Sequence, residues 1–346
     1  MNVLFRLECG FSVGMGHVMR CLALASAFAK RGARMTFAAS SLETFELAKK
    51  QGYSCLEIPS SMGFLPIEET DFLRRFCADT DLVIVDSYDA TREYLCAMDA
   101  FAPTVYIDDV HRDRLDIFAV VNGNLTADSA WYERCYADAD TLLLVGAKYC
   151  ILRDEFSLTK PPELERGVCA VMVTTGGSDP HEASVVLTEK LLSIDVLAGS
   201  TIHVIAGPLN PNRASLNALA ESNTRVIVHE DVDNMSAIMA QCQIAISAAG
   251  TTLNELCSCG VPTVAFSLVG NQKGCAQFFC DAGAALDAGD IEDEGFFSSL
   301  ESQIRAIVAE PSMAVAISNR ARSLFDGRGA ARIAESLEYG LERNKG

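Results

Sequence analysis

Two rhythms of apolar and polar positions run along the chain. Short unbroken apolar runs at Val3–Leu7, Met35–Ala39, Leu82–Val85, Thr104–Ile107, Phe118–Val121 and Thr141–Val145 predict strands buried on both faces. His17–Lys30 instead carries Val18, Leu22, Ala25 and Phe28 near helical spacing, with Gly32 behind Arg31 as a plausible C-cap. The pattern restarts after Lys160-Pro161-Pro162-Glu163, where the prolines can continue neither a helix nor a central strand. Beyond it, Val168–Thr174, Thr201–Ala206, Arg225–Val228, Ile244–Ser247 and Pro262–Ser267 predict further strands with helical stretches between them. Met313–Glu342 reads as helix. Alternating buried strands and helices predict parallel sheets covered on both faces. The expected fold is α/β: two Rossmann-like doubly wound domains facing a cleft, residues 1–159 and residues 160–346, the second including the C-terminal helix.

Composition narrows the partners. Apolar residues make up 49% of 346, enough for packed cores. Lys and Arg total 28 against 46 Asp and Glu, a net charge of −18. So acidic a surface repels phosphate backbones and anionic lipid, which argues against nucleic-acid binding and stable membrane attachment. A small anionic ligand remains compatible, because helix N-termini hold phosphate without net positive charge. No apolar run reaches about 18 residues, so no transmembrane helix is expected, and Met1–Phe5 runs straight into a strand pattern without a signal peptide. The 13 cysteines, among them Cys21, Cys96, Cys169 and Cys242, form no CxxC pair and read as reduced core residues of a cytoplasmic protein. A monomer is the favoured state.

Candidate chemistry sits where strands end and helices begin. In Gly10-Phe11-Ser12-Val13-Gly14-Met15-Gly16-His17, glycines allow a sharp turn and close ligand approach. His17 falls at a helix N-terminus, whose positive end favours the neutral imidazole a general base requires; a structural loop-capping histidine is the other reading. Only two glycines of a GxGxxG match, Met19 takes the third place, and no acid ends Met35–Ala39, so a dinucleotide is not expected. Gly176-Gly177-Ser178-Asp179-Pro180 precedes a helix pattern beginning near His181; its amides suit a phosphate, and an ordinary turn capped by Ser178 or Asp179 fits as well. In Ser247–Glu255, Thr251 and Thr252 suit diphosphate oxygens and Glu255, one turn on, suits a ribose diol; a capping box with Thr252 as N-cap explains the same residues. Asn271-Gln272 follows another strand and offers amides to sugar hydroxyl or acetamido groups. Asp86-Ser87-Tyr88 and Asp108-Asp109 end strands without metal-ligand spacing around them, and read as substrate positioning or loop structure; no metal and no cofactor are expected.

In their order along the chain these motifs resemble the UDP-2,4-diacetamido-2,4,6-trideoxy-β-L-altropyranose hydrolases of pseudaminic acid biosynthesis. The resemblance runs from about Leu4 to Phe279. It is carried by Gly14–Arg20, Asp86-Ser87-Tyr88, Ile107-Asp108-Asp109, Asp116 through Asn122, Gly146-Ala147-Lys148-Tyr149 through Phe156, Gly176–Asp179, Gly250–Thr252 with Glu255, and Asn271-Gln272. The family is similar in fold to the glycosyltransferase B group, including the lipid-linked N-acetylglucosaminyltransferase of peptidoglycan synthesis. The resemblance implies His17 as catalytic base and Tyr88 and Asn271 near the reacting sugar. It also implies substrate contacts at Gly14, Gly16, Arg20, Gly176, Gly177, Asp179, Thr251, Thr252 and Gln272, the ribose on Glu255, and the uracil on backbone near Val232–Met235. Glu8 stands where the family has Asp, and Cys9 and Phe11 replace small polar residues, at the loop bordering the sugar pocket. The implied reaction is inverting hydrolysis of a small-molecule UDP-sugar. A UDP-sugar glycosyltransferase with a soluble acceptor, and a UDP-sugar-binding protein without turnover, are the rival readings.

Overall fold

The structure, a computed structural model, describes residues 1–7, 16–110, 113–165, 167–177, 179–207, 210–268, 272 and 274–344. It divides into two compact units, Met1–Arg153 with Arg328–Gly346, and Asp154–Gly327.

The first unit is built on β1 (Asn2–Leu7), β2 (Arg34–Ala39), β3 (Ser54–Glu57), β4 (Leu82–Asp86), β5 (Thr104–Ile107), β6 (Ala119–Asn122) and β7 (Leu142–Val145). They form a 7-stranded sheet in the order β3-β2-β1-β4-β5-β6-β7, parallel throughout. Because alternate side chains point to opposite faces, Val3, Phe5 and Leu7 pack on one side with Leu24 and Phe28 of the helix Gly16–Ala29, while Leu4, Val83, Val85 and Tyr94 pack on the other. Each such buried side chain contributes about 1.5–3 kcal/mol. The helix ends as its sequence predicts: Gly32 takes φ +83°, a left-handed conformation that glycine adopts without strain.

The second unit has a 6-stranded parallel sheet of β8 (Ala170–Thr174), β9 (Thr201–Ala206), β10 (Val226–Glu230), β11 (Ile244–Ala248), β12 (Thr263–Ser267) and β13 (Leu286–Asp290). The order is β10-β9-β8-β11-β12-β13. Both units are therefore doubly wound. In each, strand order reverses direction at one place, beside β1 and β4 in the first sheet and beside β8 and β11 in the second. At such switch points the loops leaving neighbouring strands diverge, and the crevice at the strands' carboxyl ends accepts ligands.

The end of the chain differs from its sequence reading. The stretch read as continuous helix is two helices, Pro311–Leu324 and Gly329–Asn344. Gly327, at φ +69°, ends the continuity, and a Cβ there would lie 2.7 Å from Ser157 Cα. The last helix, grouped by sequence with the second half, packs in the first unit: Ile333, Ala334 and Leu337 join the core beside Phe28. Its first residue, Gly329, sits so close to the Cys150 carbonyl that no side chain fits. Nor are all the cysteines the core residues that their sequence context predicts. Cys21 and Cys242 are buried free thiols, but Cys96 and Cys169 are exposed. No helix among the described residues is long and apolar enough to cross a membrane.

Candidate functional site

Pairing of β1 with β4 sets Leu7 opposite Asp86, so the last residue of β4 lies beside the end of β1. The helix Gly16–Ala29 starts just beyond that point and carries His17 and Arg20 one turn apart. Three polar side chains thus converge from segments some 65 residues apart. His17 Nδ1 lies 2.5 Å from Asp86 Oδ1. Arg20 grips the same carboxylate, Nε to Oδ2 at 2.6 Å and Nη2 to Oδ1 at 2.5 Å. Its Nη1 reaches Asp109 Oδ2 at 2.7 Å.

Asp86 is fully buried. Burial alone pushes its carboxyl up, but the Arg20 guanidinium and the His17 hydrogen bond outweigh that and hold it below the usual carboxylate range. An ionised Asp86 only accepts, so His17 Nδ1 carries the hydrogen and donates it. Arg20 Nη2 and His17 Nδ1 lie 3.1 Å apart because both donate to Oδ1; neither accepts from the other. In the neutral imidazole this leaves the lone pair on Nε2, the form that takes a proton.

Tyr88 completes the group. Its ring meets the His17 ring edge-on, centroids 4.8 Å apart at 90°, and its hydroxyl donates to Asp109 Oδ2 at 3.2 Å. Asn124 Nδ2 donates to the other oxygen of Asp109 at 2.9 Å. Partial burial, then the Asp109 charge, push the Tyr88 phenol up to about 12. Arg20, which the resemblance assigns to substrate, spends its donors on Asp86 and Asp109. Gly16 begins the helix, and a Cβ there would meet nothing within 4 Å. Gly14 and Asn271 lie outside the described residues, as does Ser178.

In the second unit the remaining candidates gather at the carboxyl ends of β8, β10, β11 and β12. After β8, Gly176 takes φ +87°. Gly207, after β9, packs against that loop, so that a Cβ on it would collide with the Gly176 carbonyl and lie 2.7 Å from that of Gly177. Asp179 is 2% exposed and turned inward. It accepts from Ser184 N at 3.0 Å, Ser184 Oγ at 2.5 Å and Asn212 Nδ2 at 3.0 Å. It braces the loop. The helix expected near His181 starts at Ala183, after a 3-10 turn over Pro180–Glu182, with His181 and Glu182 at positive φ. Two buried polar atoms here have no partner among the described residues, Thr175 Oγ1 and Arg213 Nε. The rest of the Arg213 guanidinium donates to Gly207 O at 3.1 Å and Glu230 Oε2 at 3.3 Å.

After β11 the helix Thr251–Cys259 has Gly250 as N-cap and no side-chain cap. The capping-box reading therefore fails: Thr252 lies inside the first turn, and Glu255 is past the position a capping acid takes. The first amides of this helix are not satisfied by a side-chain cap. Gln272 lies next to them. Leu268 N donates to its Oε1 at 2.9 Å, and a Cβ on Gly250 would sit 3.6 Å from its Nε2. Val232 and Met235 flank a turn after β10 where Asn234 caps the helix Met235–Met239.

The hydrogen-bond partners of these candidate residues are not legible in the sequence. Asp86 and Asp109 are seen as acids at strand ends, but their engagement with His17, Arg20 and Tyr88 depends on strand order. Gly207, Asn212 and Arg213 carried only the weak signal of a Gly/Pro/Asn-rich turn after a strand.

Residues 170–337 match the model of the glycosyltransferase family 28 C-terminal domain. The chain is 24% identical over 347 residues to the spore coat polysaccharide biosynthesis protein SpsG of Bacillus subtilis, covering 98% of each. It is 23% identical over 300 residues to the UDP-2,4-diacetamido-2,4,6-trideoxy-beta-L-altropyranose hydrolase of Campylobacter jejuni, covering 83% of this chain and 99% of that one. Among solved structures, MurG of Acinetobacter baumannii superposes with a TM-score of 0.66 at 14% identity, over 98% of this chain and 100% of that one. The two parallel-sheet α/β domains have the glycosyltransferase-B fold.

Proposed function

We propose that the protein hydrolyses a UDP-sugar with inversion at the anomeric carbon, and that the sugar is 2,4-diacetamido-2,4,6-trideoxy-L-altrose or a close relative. One observation carries the reading: His17 donates through Nδ1 to the buried carboxylate Asp86, which directs its basic Nε2 away from that anchor. Binding alone has no use for a base held in one tautomer. The similarity of 83% of this chain, at 23% identity, to a named UDP-sugar hydrolase supports the choice of substrate.

In the proposed reaction His17 Nε2 removes a proton from water as the water oxygen bonds to the anomeric carbon. The bond from that carbon to the diphosphate oxygen breaks, and its electron pair leaves with UDP. Positive charge grows on the sugar ring and negative charge on the diphosphate. The amides of the Gly176-Gly177 loop and of the helix beginning at Thr251 meet the diphosphate charge, so the step is proposed to need no metal. The Thr175 hydroxyl and Arg213 Nε, without a partner among the described residues, are proposed as further donors beside that loop. Glu255 takes the ribose, backbone near Val232–Met235 the uracil, and Gln272, with Asn271, the sugar. Arg20 becomes a positioning residue that neutralises Asp86.

In water enriched in oxygen-18, the label is expected in the released sugar. Label in UDP would mean attack on phosphorus and overturn this mechanism. The match to a glycosyltransferase domain favours a second reading, transfer to a soluble acceptor. In that case UDP release would depend on the acceptor.

A further inference from the structure

We propose that Tyr88 meets the sugar as a hydrogen-bond acceptor, set to that polarity by Asp109, so that the site selects a sugar with an N–H or O–H donor beside its reacting carbon. This rests on the UDP-sugar reading above and gives it a rule of recognition.

A phenol has one hydrogen to give and two lone pairs to offer. The Tyr88 hydrogen is committed to Asp109 Oδ2. Asp109 cannot release it by turning. The same oxygen accepts from Arg20 Nη1 at 2.7 Å, and the other from Asn124 Nδ2 at 2.9 Å, so the carboxylate is held from two sides. The Tyr88 ring is fixed edge-on against His17. The residue is nonetheless 44% exposed, so its remaining lone pairs are open to a ligand next to the base. A sugar substituent that only accepts finds no partner there. An acylamino N–H or a hydroxyl does. Asp109 acts through Tyr88 and is a positioning residue.

The test compares wild type with Tyr88→Phe, Asp109→Ala and Asp109→Asn, using UDP-2,4-diacetamido-2,4,6-trideoxy-β-L-altropyranose. Losing one hydrogen bond to the sugar is expected to cut kcat/KM roughly ten- to hundred-fold in Tyr88→Phe. Asp109→Ala, which frees the phenol hydrogen to turn, is expected to fall by a similar factor. Asp109→Asn keeps an acceptor oxygen for the phenol and is expected to retain most of the rate. Calorimetric binding of UDP-N-acetylglucosamine and UDP-glucose identifies the donor: the larger loss in Tyr88→Phe with the former assigns an acylamino N–H, with the latter a hydroxyl.

A second readout is independent of turnover. Tyrosinate absorbance, isolated by subtracting the Tyr88→Phe spectrum, is expected to appear at lower pH in Asp109→Ala than in wild type. Wild-type rates in Tyr88→Phe, or in Asp109→Ala alongside a defective Tyr88→Phe, overturn the proposal. Absence of both turnover and UDP-sugar binding in the wild type overturns the UDP-sugar reading instead; an unchanged tyrosinate titration overturns the Asp109–Tyr88 link alone.

Discussion

Replacing His17 by Asn is expected to lower turnover of the UDP-sugar by about a hundred- to ten-thousand-fold, the usual worth of a general base. Asn can still donate to Asp86, so the buried carboxylate keeps a partner and the fold is expected to hold. UDP affinity is expected to stay near wild type, because the proposed nucleotide contacts all lie in the second unit. Single-turnover rates and UDP titration of the same preparation check both halves. A His17→Asn variant within a few-fold of wild-type turnover would remove His17 from the chemistry.

The second large effect is expected at Asp86. In Asp86→Asn the side-chain amide can donate to His17 Nδ1, which moves the imidazole hydrogen to Nε2 and blocks the base. A loss on the order of a hundred- to ten-thousand-fold in kcat is expected, with KM little changed. The variant should also lose stability in a pH-dependent way. The folded carboxyl of Asp86 is held below its ordinary range, by Arg20 and His17 against the cost of burial. Such a group stabilises the fold at pH above its unfolded pKa, about 3.9, and that contribution fades as pH falls through the lower folded value. Wild type and Asp86→Asn should therefore differ most in Tm near neutrality and converge in strong acid. A constant gap across that range would contradict the assigned charge state.

These two residues also show how much was legible in the sequence. His17 stood out because a glycine-rich loop after an apolar run and before a helical pattern is a local signal. Asp86 stood out only as an acid at a strand end. Its partnership with His17, 69 residues away, arises because β1 is flanked by β2 and β4, and strand order is not written in local periodicity. The same holds for Asp109, which lies 89 residues from Arg20. Most central strands were legible because burial on both faces demands unbroken apolar runs. The edge strands β3 (Ser-Cys-Leu-Glu) and β13 (Leu-Asp-Ala-Gly-Asp) were not, because partly exposed edges tolerate polar residues and glycine. The C-terminal helix misled for another reason. Its apolar stripe states that it packs, but not on which unit, and Gly327 interrupts a pattern that otherwise continues.

The central claim is tested most directly by mixing the protein with UDP-2,4-diacetamido-2,4,6-trideoxy-β-L-altropyranose, with no acceptor and with EDTA present, and following UDP release beside a UDP-N-acetylglucosamine control. Hydrolysis through His17 and Asp86 predicts rapid release from the first sugar nucleotide, unaffected by chelation, and little from the second. No release from the first sugar nucleotide until an acceptor is added would contradict hydrolysis and identify a transferase.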